Sequence, residues 1–117
     1  MNLSEKSIKR LGEIITGDNQ LSPYRSGPQL VSFFNEFGCN DIYGQGFPSR
    51  WMYAERSIRN FNDTPTLRKI IVSALDPRNF LDPGVWDENI PGYKQVSIDE
   101  AICYLNEFFD YDSYKIV

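Results

Sequence analysis

The sequence predicts an all-α fold: one compact domain of about five helices, a long packed loop at 76–96, and a short C-terminal strand or extended end. Three observations predict it. Helix-start signatures recur along the chain, the apolar residues behind each follow a 3.6-residue period, and glycine or proline closes each segment. At 117 residues the chain fits a single domain, 1–117, able to bury one core without a metal or a disulfide.

The first helix is predicted over 4–16. Ser4 caps it, Ile8, Leu11, Ile14 and Ile15 recur at helical spacing, and Gly17 is placed to end it in a left-handed conformation. DNQLSPYR is a connection. Ser26 and Gln29 then form a capping box with Pro28 in the first turn, followed by Leu30, Phe33, Phe34 and Phe37 as a buried aromatic stripe, with Gly38 as the stop. CNDIYGQGFP suits an irregular loop with a tight turn at Gly44 to Gly46.

Ser49 is the expected cap of a third helix, with Trp51, Ala54, Ile58 and Phe61 on one side and Arg50, Arg56 and Arg59 elsewhere. Asn62-Asp63 breaks it. Thr64 with Pro65 starts a fourth, whose Leu67, Ile70, Ile71, Ala74 and Leu75 form an apolar face that ends at Asp76-Pro77. The 76–96 loop holds Pro77, Pro83, Gly84, Pro91 and Gly92, and is expected to pack across the core through Phe80, Trp86 and Tyr93. Ser97 and Glu100 give a second capping box, and Ile98, Ala101, Ile102, Leu105, Phe108 and Phe109 the last core-facing stripe. The core is expected to be shared by the first, second, fourth and fifth helices.

Composition excludes several chemistries. The chain has no histidine, so it can hold no Ser-His or Cys-His pair, no histidine base and no histidine-ligated metal. The carboxylates, two cysteines and tyrosines that remain form no recognised catalytic arrangement. The chain therefore reads as a non-enzyme with no cofactor. A net charge of −4 argues against coating of nucleic acid or anionic membrane. No segment approaches the roughly 18 apolar residues of a spanning helix, and MNLSEKSIKRL lacks the apolar core of an export signal. Cys39 and Cys103 read as free thiols of a cytoplasmic protein.

The candidate sites are few. Tyr24-Arg25 and Arg50-Trp51 set two guanidinium groups beside aromatic rings near helix starts, where backbone N–H groups and the helix dipole favour an anion or a partner. The alternative is that each arginine stacks on its neighbouring aromatic and ties a loop through carbonyl or carboxylate bonds. Arg50, Arg56, Arg59, Arg68 and Lys69 make the third and fourth helices the basic part of an acidic chain, a possible nucleic-acid face, though short helix links are ordinary in bundles. Asp82, Asp87 and Glu88, and Asp99-Glu100 beyond them, lack EF-hand spacing and read as solvated charge, as do Glu107, Asp110 and Asp112. GQG at 44–46 is not a dinucleotide fingerprint, because no strand precedes it.

YRSGPQLVSFFNEFG at 24–38, GFPSRW at 46–51 and YLNEFFDYD at 104–112 resemble the AbiJ-type N-terminal domain of prokaryotic abortive-infection proteins, with the likeness running from about residue 8 to the C-terminus. The resemblance implies an accessory module that precedes an effector, often an RNase of the HEPN class or another toxic enzyme, and serves in sensing, assembly or control. An effector domain or protein partner is thus expected, with nucleic acid as the alternative. The chain departs from a complete defence protein: a HEPN nuclease needs an arginine and histidine motif, and no histidine is present.

Overall fold

Where the apolar period and the capping signals agree, the helices form as predicted. In the computed structural model, which describes residues 1–81 and 96–116 in full and 85–86 and 93–94 through their backbone, α1 runs Glu5–Thr16, α2 Gly27–Asn35, α3 Arg50–Phe61, α4 Pro65–Ala74 and α5 Ile98–Phe109. Short 3-10 turns follow at Pro77–Phe80 and Asp110–Asp112. Val85–Trp86 pairs antiparallel with Tyr93–Lys94, a two-residue ladder within an otherwise all-α domain. The side chains of Trp86 and Tyr93, and the whole of Asp82, Asp87 and Glu88, lie outside the described residues.

Local chemistry fixes α1 at both ends and α2 at its start. The Ser4 hydroxyl accepts from the Ser7 amide, and at the far end Gly17 takes φ 79°, donating its N–H to the Glu13 carbonyl. Any Cβ at Gly17 would lie 2.5 Å from the Pro23 carbonyl oxygen, so both its backbone angle and its surroundings require glycine. The Ser26 and Gln29 capping box forms reciprocally.

Four expectations are corrected. First, α3 belongs to the core: α1 packs most extensively against α3, and Tyr53, Ala54 and Ile58 are buried beside Leu11, Ile14 and Ile15. Trp51, placed by periodicity on that apolar face, is instead 55% exposed, and Phe61 is only half-buried. Second, Ser49, Thr64 and Ser97 stand at N-cap positions but make no side-chain cap bond. Thr64 Oγ1 donates to the Phe61 carbonyl at 2.6 Å, while Asp99 and Glu100 in the first turn of α5 oppose the positive end of its dipole. Third, α2 stops at Asn35, short of Gly38, which leaves Phe37 half-buried. Fourth, of the short strand or extended end expected at the C-terminus, the strand does not form among the described residues; after a left-handed turn at Ser113, 114–116 runs as an irregular end whose Ile116 is held by Asn106.

Helix α1 is the hub. It packs against α3, α5 and α4, and α2 and α4 each pack on α3. Phe33, Phe34 and Tyr53 meet edge-to-face across the α2–α3 junction, with centroids 5.1 and 5.7 Å apart. Phe80 is buried against this core, as expected for the start of the 76–96 loop.

Three asparagines tie connections to helix ends in the same way. Each carboxamide donates to a backbone carbonyl and accepts the amide N–H of the same residue: Asn35 with Asp41 (3.1 and 3.0 Å), Asn62 with Leu3 (3.0 and 2.8 Å) and Asn106 with Ile116 (2.9 and 2.8 Å). A carboxamide carries the donor and acceptor of a peptide unit, so it pairs with an extended residue as a neighbouring strand would.

Candidate functional site

The last four carbonyls of a helix have no partner within it. In α1 all four are satisfied from outside or by the cap. Glu13 receives Gly17 N–H, Ile14 receives the Ser22 hydroxyl at 2.6 Å, Ile15 receives Arg25 Nη1 at 2.8 Å, and Thr16 receives Arg25 N–H and Arg50 Nη2 at 3.1 and 2.7 Å. The two predicted site arginines thus converge on the C-terminus of α1, where their charge also opposes the negative end of its dipole.

Arg50 does more. Its Nε donates to the Arg25 carbonyl at 2.9 Å, its Nη1 to Asp18 at 2.7 Å, and its guanidinium lies 4.1 Å above the Tyr24 ring. Arg25 stacks on Phe33 at 4.6 Å, and burial pushes its pKa down. Both arginines take the geometry of a brace, joining the end of α1, the 17–26 connection and the start of α3. Their aromatic neighbours face outward: Tyr24 is 58% exposed and Trp51 55%.

Trp51 also walls a groove of about 530 Å³ between α1 and α3, lined by Lys9, Gly12, Glu13, Asp18, Asn19 and Glu55. Gly12 lets the helices approach there, since a Cβ would sit 3.3 Å from Glu55 Cγ. Sequence reasoning missed these residues, although a glycine inside an amphipathic helix, and Glu55 one turn after Trp51, were the available signals.

The 39–48 loop is pinned beneath. Tyr53 donates its hydroxyl to Asp41 at 2.8 Å, Tyr43 stacks on Phe47 and Phe47 on Tyr53 (4.7 Å each), and the Tyr43 ring occupies the space a Gly27 side chain would need. Burial, reinforced by the Asp41 bond, pushes the Tyr53 phenol well above its ordinary value. Burial and the nearby Asp41 also raise the Cys39 thiol; Cys103 is exposed, and both are unpaired.

The basic residues of α3 and α4 do not form one free face. Arg59 is engaged by Glu5 at 2.8 Å and Glu55 at 3.1 Å. Arg56, Arg68 and Lys69 are exposed, and form no ion pair among the described residues. Arg56 lies 5.8 Å over the Tyr53 ring, and Arg68 lines a shallow cleft with Met1 and Asp63. Among the described residues no group of three or more carboxylates or thiols is arranged to hold a metal ion, and no helix is long and apolar enough to cross a membrane. Compared with protein-family models, with curated proteins and with solved structures, the chain matches none.

Proposed function

We propose that this chain is a non-catalytic interaction module of a prokaryotic anti-phage system, acting in the cytoplasm on an effector domain or protein partner. The resemblance of the 24–38, 46–51 and 104–112 segments to AbiJ-type N-terminal domains supports the defence context. One observation carries the docking surface. Arg25, just before α2, and Arg50, at the start of α3, are both engaged by the end of α1, while Tyr24 and Trp51 remain exposed on the platform they brace. Exposed aromatic residues on a rigid support are the usual anchors of protein recognition. A nucleic-acid reading would draw on Arg56, Arg68 and Lys69, but Arg59 is already paired and Asp63 lies at the start of α4.

The gene, with whatever its reading frame continues into, would be expressed in a phage-sensitive host and plating efficiency measured over a phage panel. Protection by the natural protein, lost in Trp51→Ala and Tyr24→Ala while their melting temperatures stay close to the parent's, is the expected result. No protection against any phage overturns the defence reading. Protection unaffected by either change overturns the surface. Duplex DNA or RNA binding whose affinity falls steeply with salt and is lost in Arg56→Ala would move the function to the basic residues.

A further inference from the structure

We propose that copies of this chain join head to tail, with Tyr111 and Asp110 of one copy seated on the Trp51 and Met52 ridge of the next, between Lys9 and Arg56. The inference rests on the reading of this surface as a protein-docking site, and names its partner as a second copy of the chain.

The ridge is apolar, and the charge left unanswered around it is positive. Trp51 and Met52 stand side by side in the first turn of α3, both about half exposed. The nearby carboxylates are already engaged: Glu13 by Arg10 and the Tyr104 hydroxyl, Asp18 by Arg50 and Glu55 by Arg59. Lys9 on the α1 side, and Arg56 one turn beyond Met52, are exposed and form no ion pair among the described residues. The groove beside Trp51, about 530 Å³, has room for a tyrosine side chain.

The chain itself carries the complement. From Ile98 to Asp112 it holds five carboxylates and no lysine or arginine. Asp112 is bound to Ser4, while Asp110 is exposed and forms no ion pair among the described residues. Beside it Tyr111 is 91% exposed, more than any other large apolar side chain among the described residues. The Asp112 bond ties this turn to α1, so the phenol ring is presented on a fixed support, free to stack on an indole and to touch a thioether. Position makes the contact head to tail. Arg50, at the start of α3, reaches the Thr16 carbonyl at the C-terminal end of α1, whereas Asp112 reaches Ser4 at its N-cap. The ridge and Tyr111 therefore lie toward opposite ends of a helix roughly 18 Å long, and joining copies through two such unlike surfaces extends into a chain or closes into a ring.

One aromatic anchor with a few charges makes a weak contact, so sedimentation velocity is run on the natural chain from about 1 μM to about 1 mM. The sedimentation coefficient should rise with concentration, and raising the salt from about 50 mM to about 500 mM should weaken the association several-fold. Trp51→Ala and Tyr111→Ala should each leave a monomer with a melting temperature close to the parent's, and Asp110→Lys should weaken association about tenfold. Mixing supplies the decisive arm. The Trp51→Ala chain keeps its Tyr111 end and the Tyr111→Ala chain keeps its ridge, so the two variants together should form a one-to-one dimer and nothing larger, a gain that misfolding cannot produce.

A monomer across the whole concentration range, association indifferent to these substitutions, or a mixture of the two variants that stays monomeric overturns the proposal. If the natural chain is monomeric while Trp51→Ala still abolishes protection, the second copy is the wrong partner and the docking reading stands. If the copies associate as expected while protection survives both Trp51→Ala and Tyr111→Ala, the head-to-tail contact is supported and the functional reading falls.

Discussion

Arg50 presents its N–H donors in one plane, and the fold meets them in three directions: the Arg25 carbonyl, the Thr16 carbonyl and Asp18, with the Tyr24 ring stacked on its face. A lysine ammonium is a point charge on a flexible stem and cannot satisfy that fork. Arg50→Ala should lower stability by about 2 kcal/mol, the scale of hydrogen bonds to a charged group, and Arg50→Lys should recover less than half of it. Urea denaturation checks both, and an unchanged midpoint in Arg50→Ala would refute the bracing role. Tyr24 illustrates the limit of local reading. Its adjacency to Arg25 suggested that pair would stack, but the ring receives Arg50, while Arg25 reaches Phe33.

At the scale of elements, the paired asparagine bonds decide where the connections run. Asn62, at the C-cap of α3, holds Leu3 through both its N–H and its C=O, and Asp63 N–H reaches the Met1 carbonyl at 2.8 Å. This positions the segment that enters α1 against the α3–α4 turn. Asn62→Asp keeps the size but replaces the NH₂ donor with an oxygen facing the Leu3 carbonyl. It should cost about 1–3 kcal/mol, the penalty for a polar group left without its partner. Hydrogen exchange should show the loss concentrated at residues 1–8; uniform exchange and an unchanged melting temperature would reject the account. Asn62-Asp63 was legible as a helix break, but not as a latch, because the partner lies 59 positions away.

For the molecule as a whole, pH dependence follows from groups that join separate elements. Tyr53 on α3 donates to Asp41, and burial first, then that bond, raises its phenol above 10.0. A raised folded value means the neutral form is favoured in the fold. Its stabilisation is complete below pH 10 and is lost as pH climbs from there through the higher folded value. Asp112 works in the opposite sense. Burial alone would raise it, but bonds from Ser7 and from Ser4 at the start of α1 bring it below 3.8, so its contribution is present above that pH and fades below it. Urea midpoints measured across pH should therefore fall at both extremes. Tyr53→Phe should flatten the alkaline limb above pH 10, and Asp112→Asn should remove part of the acid limb. Limbs unchanged in either variant would contradict the assignment.

The sequence by itself determined the helices, because capping boxes, apolar period and breakers act over a few residues: Ser4 and Gly17 bound α1, Ser26 and Gln29 open α2, and Asp76-Pro77 closes α4. It also made Tyr24, Arg25, Arg50 and Trp51 conspicuous, as charged and aromatic residues beside helix starts. Tertiary structure alone decided what each does. Periodicity can name an apolar face but not its partner, so it put Trp51 inward with Ala54 and Ile58, whereas the fold buries Tyr53 against Phe34 and Phe47 and leaves Trp51 on the groove wall. The brace on α1 joins Thr16 to Arg50, 34 positions apart, and no local pattern encodes it. Such contacts arise because unsatisfied helix-end carbonyls need donors, and only the packed chain determines which donors come within reach.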